Sequence, residues 1–579
     1  MRASWPLAAS LLVVLVVVPA LAGCASGSGS SGTQSAASVP PSARHASAAH
    51  TSPSPTLAPV RLGPADPAQP LTVELVLRGQ DDAALAATLA AMNDPRSPTY
   101  HHYLSPREYA ARFGPSDAAV ASAEHALTAA GFTLTGRPAP NLLAARGFVT
   151  QIEALFGVQL ESYRDSTGRI FAQAASAPHL PPALAAVATG VLGLDGRPML
   201  HTGARSAPRM LLQPGSFTGY TPSDLRRLYD VSPVLGAGAN GAGVTIALAE
   251  IDAFRQSDVD TFDRQYDLSA PPVRVVTVGG QRPNYGPESI MDIEVIQALA
   301  PQAQVIAYEG GDSLADTAAI FAGIVSDHRA QIVSISLGVC ELGVGSQDSA
   351  FFSSIESTFQ QADAEGMSVL VASGDSGAYG CQDDHLSVQA PSSSPYVTAV
   401  GGTALFANGD GSYDREVGWE APFEGAGGGG GLSVEFARPS WQSGSGVDNQ
   451  YSNGMRQVPD VSADSDVLTG YSIYDSASGH CQGGSCWQIY AGTSAAAPLW
   501  AALVALADRE RAAQHKPALG FLNPALYQLG SRSSSAGPSP YHDVTAGGNL
   551  YYPATPGWDY STGWGTPDAA TLVADLVAL

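Results

Sequence analysis

The stretch "AQVIAYEGGDSLADTAAIFAGIVSDHRAQIVSISLG" (residues 303–338) runs from one β-branched apolar segment, through a helical pattern, into a second β-branched segment. The alternation continues outward in both directions, with "GVTIALAEID" (243–252) and "VRVVTVGG" (273–280) before it and "SVLVASGD" (368–375) and "YVTAVGGT" (396–403) after it. Strands alternating with helices imply an α/β fold with a mostly parallel sheet and helices on both faces. A functional site then belongs at the carboxyl ends of the strands.

Upstream the pattern changes. Residues 71–174 alternate short strand-like runs such as "LTVELVLRG" and "NLLAARG" with helical runs such as "DAAVASAEHALTAAG". This predicts a small α+β unit with an antiparallel sheet over residues 60–201. "GARSAPRMLLQPGSFTGYTPSDL" then lacks periodicity and predicts an exposed, cleavable linker over residues 202–219, ahead of a second folded region at 220–579. At the N-terminus an arginine, a short apolar run and small residues form an export signal over residues 1–24. "LAGC" ending at Cys24 resembles a bacterial lipobox, and cleavage after "ALA" is the competing reading. A Ser/Gly/Ala/Pro-rich tether over residues 25–59 suits a lipid-anchored domain held off a membrane.

The net charge of -24 and the single lysine, Lys516, argue against nucleic acid or an anionic membrane surface as partner. Apart from Cys24 there are four cysteines, Cys340, Cys381, Cys481 and Cys486. An even number in an exported chain suggests two disulfides, with three connectivities open and Cys481–Cys486 the easier local pair.

The chemistry concentrates in two helical segments. "YAGTSAAAPLWAALVALADRE" (490–510) brings Ser494 to a helix's first turn, where free N–H groups favour developing negative charge. A serine there is also a good N-cap. The pattern G-T-S-x-x-x-P demands more than a cap and resembles that of subtilisin-like serine peptidases, a resemblance that implies a nucleophile. Its base is not evident among His328, His385, His480, His515 and His542, none of which stands in a suitable context. "PESIMDIEVIQALAPQA" (287–303) offers a substitute, since Glu288 and Asp292 are four apart on one helical face while Glu294 points elsewhere. Taken alone, that segment reads as a helix with an exposed acidic face. Two close carboxylates cannot comfortably both ionise, so such a pair shares a proton and works at low pH.

With these residues the chain resembles the sedolisin, or serine-carboxyl peptidase, family, in particular its kumamolisin-like bacterial members. The motifs are "ESIMDIEV", "ASGDSGAYG", "GGGGGLSVEFARPSWQ", "VPDVSAD" and "AGTSAAAP", in that order. "YHHYLSPREYAARFGPS" (100–116) is similar to the family's propeptide signature. The resemblance implies a subtilisin-like catalytic domain made as a zymogen, with the prodomain as an inhibitor removed by self-cleavage and proteins or peptides as substrates. It implies Ser494 as nucleophile, Glu288 as general base, Asp292 as its supporting carboxylate and Asp375 as a protonated donor to the oxyanion. Read alone, "GDSG" at Asp375 is equally a strand-to-loop turn. Glu250 matches a position that extends the carboxylate network in some relatives, and Leu337 stands where the family often has Trp. The glycine run 427–431 lacks phosphate-binding spacing and reads as a flexible or closely approached segment near the cleft, or as a plain surface loop. "YHDVTAGGNLYYPATPGWDYSTGWGTPD" (541–568) holds two carboxylates in a turn-rich segment, which suits a hard cation such as Ca²⁺. The resemblance implies one calcium ion held by the side chains of Asp543 and Asp559 and the carbonyls of Val544, Thr555 and Gly557. The expected protein is therefore an exported, acid-active, monomeric endopeptidase. A surface lipoprotein using the scaffold only for binding is the alternative.

Overall fold

The computed structural model describes residues 58–206, 219–280, 282–481, 485–532 and 537–579. The export signal, the lipobox at Cys24 and the tether up to residue 57 lie outside the described residues. Among the described residues no helix is long and apolar enough to cross a membrane.

The large sheet of the C-terminal region has eight strands. Arg274–Thr277, Gln304–Glu309, Thr245–Glu250, Ile332–Ile335, Ser368–Ala372 and Thr398–Ala407 follow one another, all parallel. At the last strand the sheet branches to an antiparallel Tyr413–Gly418 and a parallel Val461–Asp464. The α/β expectation holds, and its reason is visible in burial. Ile332–Ile335 and Ser368–Ala372 are buried at every residue, as strands covered on both faces must be. One core cluster joins Ile246, Leu248 and Leu370 to the helices Pro287–Leu299 and Thr493–Ala513. On the opposite face Ala247, Ile306 and Val333 pack with Phe321 and Phe359.

The activation-side region departs from the single antiparallel sheet predicted. It has two: Thr133–Ala139, Leu142–Phe148, Pro70–Leu77 and Ala188–Leu192 in one, and Val60–Pro64, Leu160–Arg164 and Ile170–Ala174 in the other. The unforeseen strand Ala188–Leu192 lies in "VATGVLGLDG", whose glycines mask its period. The region has its own core around Val73, Leu75, Leu127 and Phe156, yet Val76, Leu142 and Leu192 belong to the same apolar cluster as Phe321 and Phe351 of the catalytic side. Polar contacts join the two regions as well. Asn93 Nδ2 donates to Asp363 at 3.0 Å, the Tyr103 hydroxyl donates to the Leu519 carbonyl at 2.7 Å, and Arg511 lies 3.0 Å from His101 Nδ1. The disulfides are Cys340–Cys381 and Cys481–Cys486.

Candidate active site

The acidic helix Pro287–Leu299 is buried on every side, with Glu288, Asp292 and Glu294 all at 0 % exposure. An exposed acidic face is thereby ruled out. The helix starts at Gly286, and Asp252 supplies the missing cap. Its carboxylate accepts from the backbone N–H of Glu288 and of Ser289 at 3.0 Å each, and from the Ser289 hydroxyl at 2.5 Å. Glu294 points away from the pair, as expected, and accepts from the Tyr474 N–H at 2.8 Å.

Ser494 lies in the first turn of Thr493–Ala513 but does not cap it, since Gly492 holds the N-cap position at φ +119°. A side chain on Gly492 would meet the Gly203 carbonyl at 2.4 Å and Asp375 Oδ2 at 2.5 Å, so only glycine fits. Pro498, four residues after Ser494, has no N–H to give the Ser494 carbonyl. The Ser336 hydroxyl lies 3.1 Å from that carbonyl and 2.7 Å from Asp292 Oδ2. Ser336 therefore stands between the serine helix and the acidic helix.

Burial raises the pKa of Glu288, Asp292 and Glu250 well above the carboxylate range, and their mutual proximity and that of Asp252 raise it further. The Ala204 N–H on Glu288 Oε2 works in the other direction, while the Ser494 hydroxyl lies 3.5 Å from the Ser336 carbonyl. Glu250 ends its strand and also sits within this cluster, with neither oxygen hydrogen-bonded in the structure.

Asp375 is anchored by one oxygen. Oδ1 accepts from the N–H and the hydroxyl of Thr493, each at 2.8 Å. Oδ2 faces Arg205 Nε at 3.6 Å. Burial pushes the group up to about 6, and Arg205 works in the other direction. The glycine run beneath it is neither flexible nor a surface loop, because residues 427–431 are buried at every position. A Cβ on Gly429 would lie 2.1 Å from the Ser373 carbonyl, and Gly427 and Gly429 donate to the carbonyls of Asp375 and Gly374 at 3.1 and 2.7 Å. The run is the floor of the Asp375 loop.

The segment predicted to be an exposed linker enters this site. Thr202–Arg205 are partly buried rather than exposed, and residues 207–218 lie outside the described residues. His201–Thr202 pairs antiparallel with Leu337 and Gly338, and Arg205–Ser206 pairs antiparallel with Ala491 and Tyr490. Between them Gly203 N–H reaches Ser494 Oγ at 3.2 Å, and Ala204 N–H donates to Glu288 Oε2 at 2.8 Å. Ser494, Glu288, Asp292 and Asp375 are thus brought to one place. Asp252, Ser336 and the Gly203–Arg205 segment join them and were not singled out from sequence. "SISLG" and "LAEID" contained two of these residues, but no local pattern marks a partner that only the fold brings near.

Away from this site, both Asp543 and Asp559 turn onto one loop. Asp543 accepts from the Gly557 N–H at 3.1 Å, and Asp559 accepts from the Thr555 N–H at 2.7 Å. Asp559 is buried, and its Oδ1 accepts from the Ser561 and Thr562 N–H groups at 2.8 Å each, so both carboxylates, hard oxygen donors of the kind a calcium ion takes, gather on residues 555–562.

A serine at the head of a helix over the carboxyl end of a parallel sheet defines a serine hydrolase of the subtilisin-like fold, here with buried carboxyl groups gathered around the serine. Residues 277–525 match the subtilase family and residues 59–197 match the family described as "Pro-kumamolisin, activation domain". The chain is 33% identical to kumamolisin of Bacillus sp. (strain MN-32), over 89% of this chain and 93% of the relative. It is 31% identical to sedolisin of Pseudomonas sp. (strain 101), over 87% and 86% respectively, and 30% identical to tripeptidyl-peptidase 1 of Bos taurus, over 90% and 93%. Among solved structures, "Pseudomonas sedolisin (serine-carboxyl proteinase) complexed with two molecules of pseudo-iodotyrostatin" superposes with a TM-score of 0.53 at 30% identity, covering 63% of this chain and 99% of that one. The chain belongs to the sedolisin family of serine-type peptidases and carries that family's activation domain.

Proposed function

We propose that this protein is an exported, acid-active endopeptidase made as a self-processing zymogen. Ser494 Oγ attacks the scissile carbonyl while Glu288 takes its proton, and Glu288 then returns that proton to the leaving amine. Asp292 shares the proton load of Glu288 and is held in turn by Ser336. Neutral Asp375 donates to the oxyanion together with a free N–H of the serine helix's first turn, and water releases the acyl-enzyme. The observation that carries this reading is the convergence of Ser494 with Glu288 and Asp375 around one peptide segment. The histidine lining that cavity, His201, belongs to the activation side and not to the catalytic region.

A calcium ion at Asp543 and Asp559, with the carbonyls of Val544, Thr555 and Gly557, would tie the C-terminal loop to the catalytic body. Export rests on the N-terminal sequence, with lipid on Cys24 as the anchor, and the enzyme acts as a monomer. Incubating purified proprotein across roughly pH 3 to 8 tests the main reading by following N-terminal trimming and casein breakdown. Both are expected in acid for the wild type, and both are expected to vanish in Ser494→Ala and in Glu288→Ala. Full activity of Glu288→Ala would return the base to some other group.

A further inference from the structure

We propose that the first bond this enzyme cuts is its own Gly203–Ala204 peptide, held in the cleft as a substrate. The inference rests on the peptidase reading above and adds to it the particular bond.

Four features of the segment place the bond. His201–Thr202 lies antiparallel on Leu337–Gly338, and Arg205–Ser206 lies antiparallel on Tyr490–Ala491, so the chain is paired on both sides of Ser494 and stretched across it. Gly203 sits against Ser494 Oγ, with its N–H at 3.2 Å. Its carbonyl oxygen and Asp375 Oδ2 flank the same point above Gly492, so the oxygen that becomes the oxyanion faces the group able to donate to it. The nitrogen on the other side of the bond, that of Ala204, already donates to Glu288 Oε2 at 2.8 Å. A carboxyl group at hydrogen-bond distance from that nitrogen is placed to protonate it as it leaves.

The step balances within the chain. Ser494 Oγ bonds to the Gly203 carbonyl carbon and its proton passes to Glu288. The C–N bond to Ala204 breaks as Glu288 gives that proton to the Ala204 nitrogen. Water then splits the ester, leaving a carboxyl group on Gly203 and restoring the Ser494 hydroxyl. Arg205, with its Nε 3.6 Å from Asp375 Oδ2 and its backbone paired to Ala491, holds the leaving side in register until the bond is cut.

Glycine at this position has a steric reason. A Cβ on Gly203 would lie 2.5 Å from Ser494 Oγ and 3.3 Å from Asp375 Oδ2, so any other residue displaces the nucleophile or the segment. Gly203→Val should therefore slow this cut at least tenfold, and Ala204→Pro, which removes the N–H given to Glu288, should block it.

The test shifts the full-length proprotein to pH 4 and takes early time points, reading the new N-terminus by Edman sequencing and both fragments by intact mass. The expected first pair ends at Gly203 and begins at Ala204, forms with a rate constant unchanged by tenfold dilution, and is absent from Ser494→Ala. A first cut at another bond that still requires Ser494 overturns the assignment and leaves the peptidase reading standing. A rate proportional to concentration overturns the claim that the chain cuts its own segment, as does unchanged processing of both Gly203→Val and Ala204→Pro. No cut at any pH, with no casein hydrolysis, overturns both readings.

Discussion

In the proposed mechanism Asp375 acts through a proton that burial helps it keep and Arg205 tends to remove. Its pKa is raised to about 6, so the group is neutral below that value and ionised above it. Only the neutral form can donate to an oxyanion, so the pH–rate profile should fall as pH rises through about 6. For self-cleavage of the proprotein, removing Arg205 should move that limb upward, because the cation and the Thr493 hydrogen bonds both work against burial. Asp375→Asn keeps a donor that does not titrate. It should flatten the limb while lowering kcat by roughly a hundredfold for imperfect placement. At Glu288 the expected loss is larger, about 10³-fold or more in kcat/KM for Glu288→Gln, because the amide neither takes nor returns the serine proton. Both variants should melt within a few degrees of wild type, which a thermal scan checks.

Two helices meet at the site, and Asp252 and Ser336 brace them. The acidic helix has no side-chain cap of its own at Gly286, and Asp252 fills that role from the end of a neighbouring strand segment. Asp252→Ala should cost about 1 to 2 kcal/mol in stability, as loss of a buried cap does, and should lower kcat more than it raises KM by tilting Glu288. The serine helix carries Pro498, which has no N–H to give the Ser494 carbonyl, and the Ser336 hydroxyl lies within reach of both that carbonyl and Asp292. Ser336→Ala would remove the donor within reach of these two buried acceptors, with an expected penalty of about 1 to 3 kcal/mol. Denaturant melts of inactive Ser494→Ala backgrounds read both losses without interference from self-digestion.

At the scale of the whole molecule, buried acids favour an acidic medium. Asp363, Glu416 and Asp508 are each raised to about 7 by burial. Below about pH 4 such groups are protonated whether the chain is folded or not. As pH rises from about 4 to 7 the unfolded chain releases those protons while the folded chain retains them, so stability should fall across that window. Thermal scans of Ser494→Ala proprotein should show the melting temperature declining from pH 4 to pH 7, and a rise over the same range would contradict it. Chelating calcium should lower the melting temperature by several degrees, since an ion at a hundred times its Kd adds about 2.7 kcal/mol. Asp559→Ala should remove that sensitivity.

Periodicity alone determined much of this. The alternation from residue 243 to 403 specified a parallel sheet, because strands buried on both faces must be apolar throughout and the helices between them must be amphipathic or buried. Local motifs also singled out Ser494, Glu288 and Asp292, since a serine after G-T at a helix head and a carboxyl pair one turn apart are both written in adjacent residues, whereas Asp375 came only from the family resemblance. Tertiary structure alone decided what surrounds them. The acidic helix proved wholly buried, the glycine run proved to be a floor, and the first linker residues, 202–206, proved to lie in the cleft. Asp252, Ser336 and Arg205 reach the site across gaps of 36, 158 and 170 residues from Glu288, Ser494 and Asp375. Burial and contact at such separations depend on how whole elements pack, and no nearby residue carries a trace of that packing.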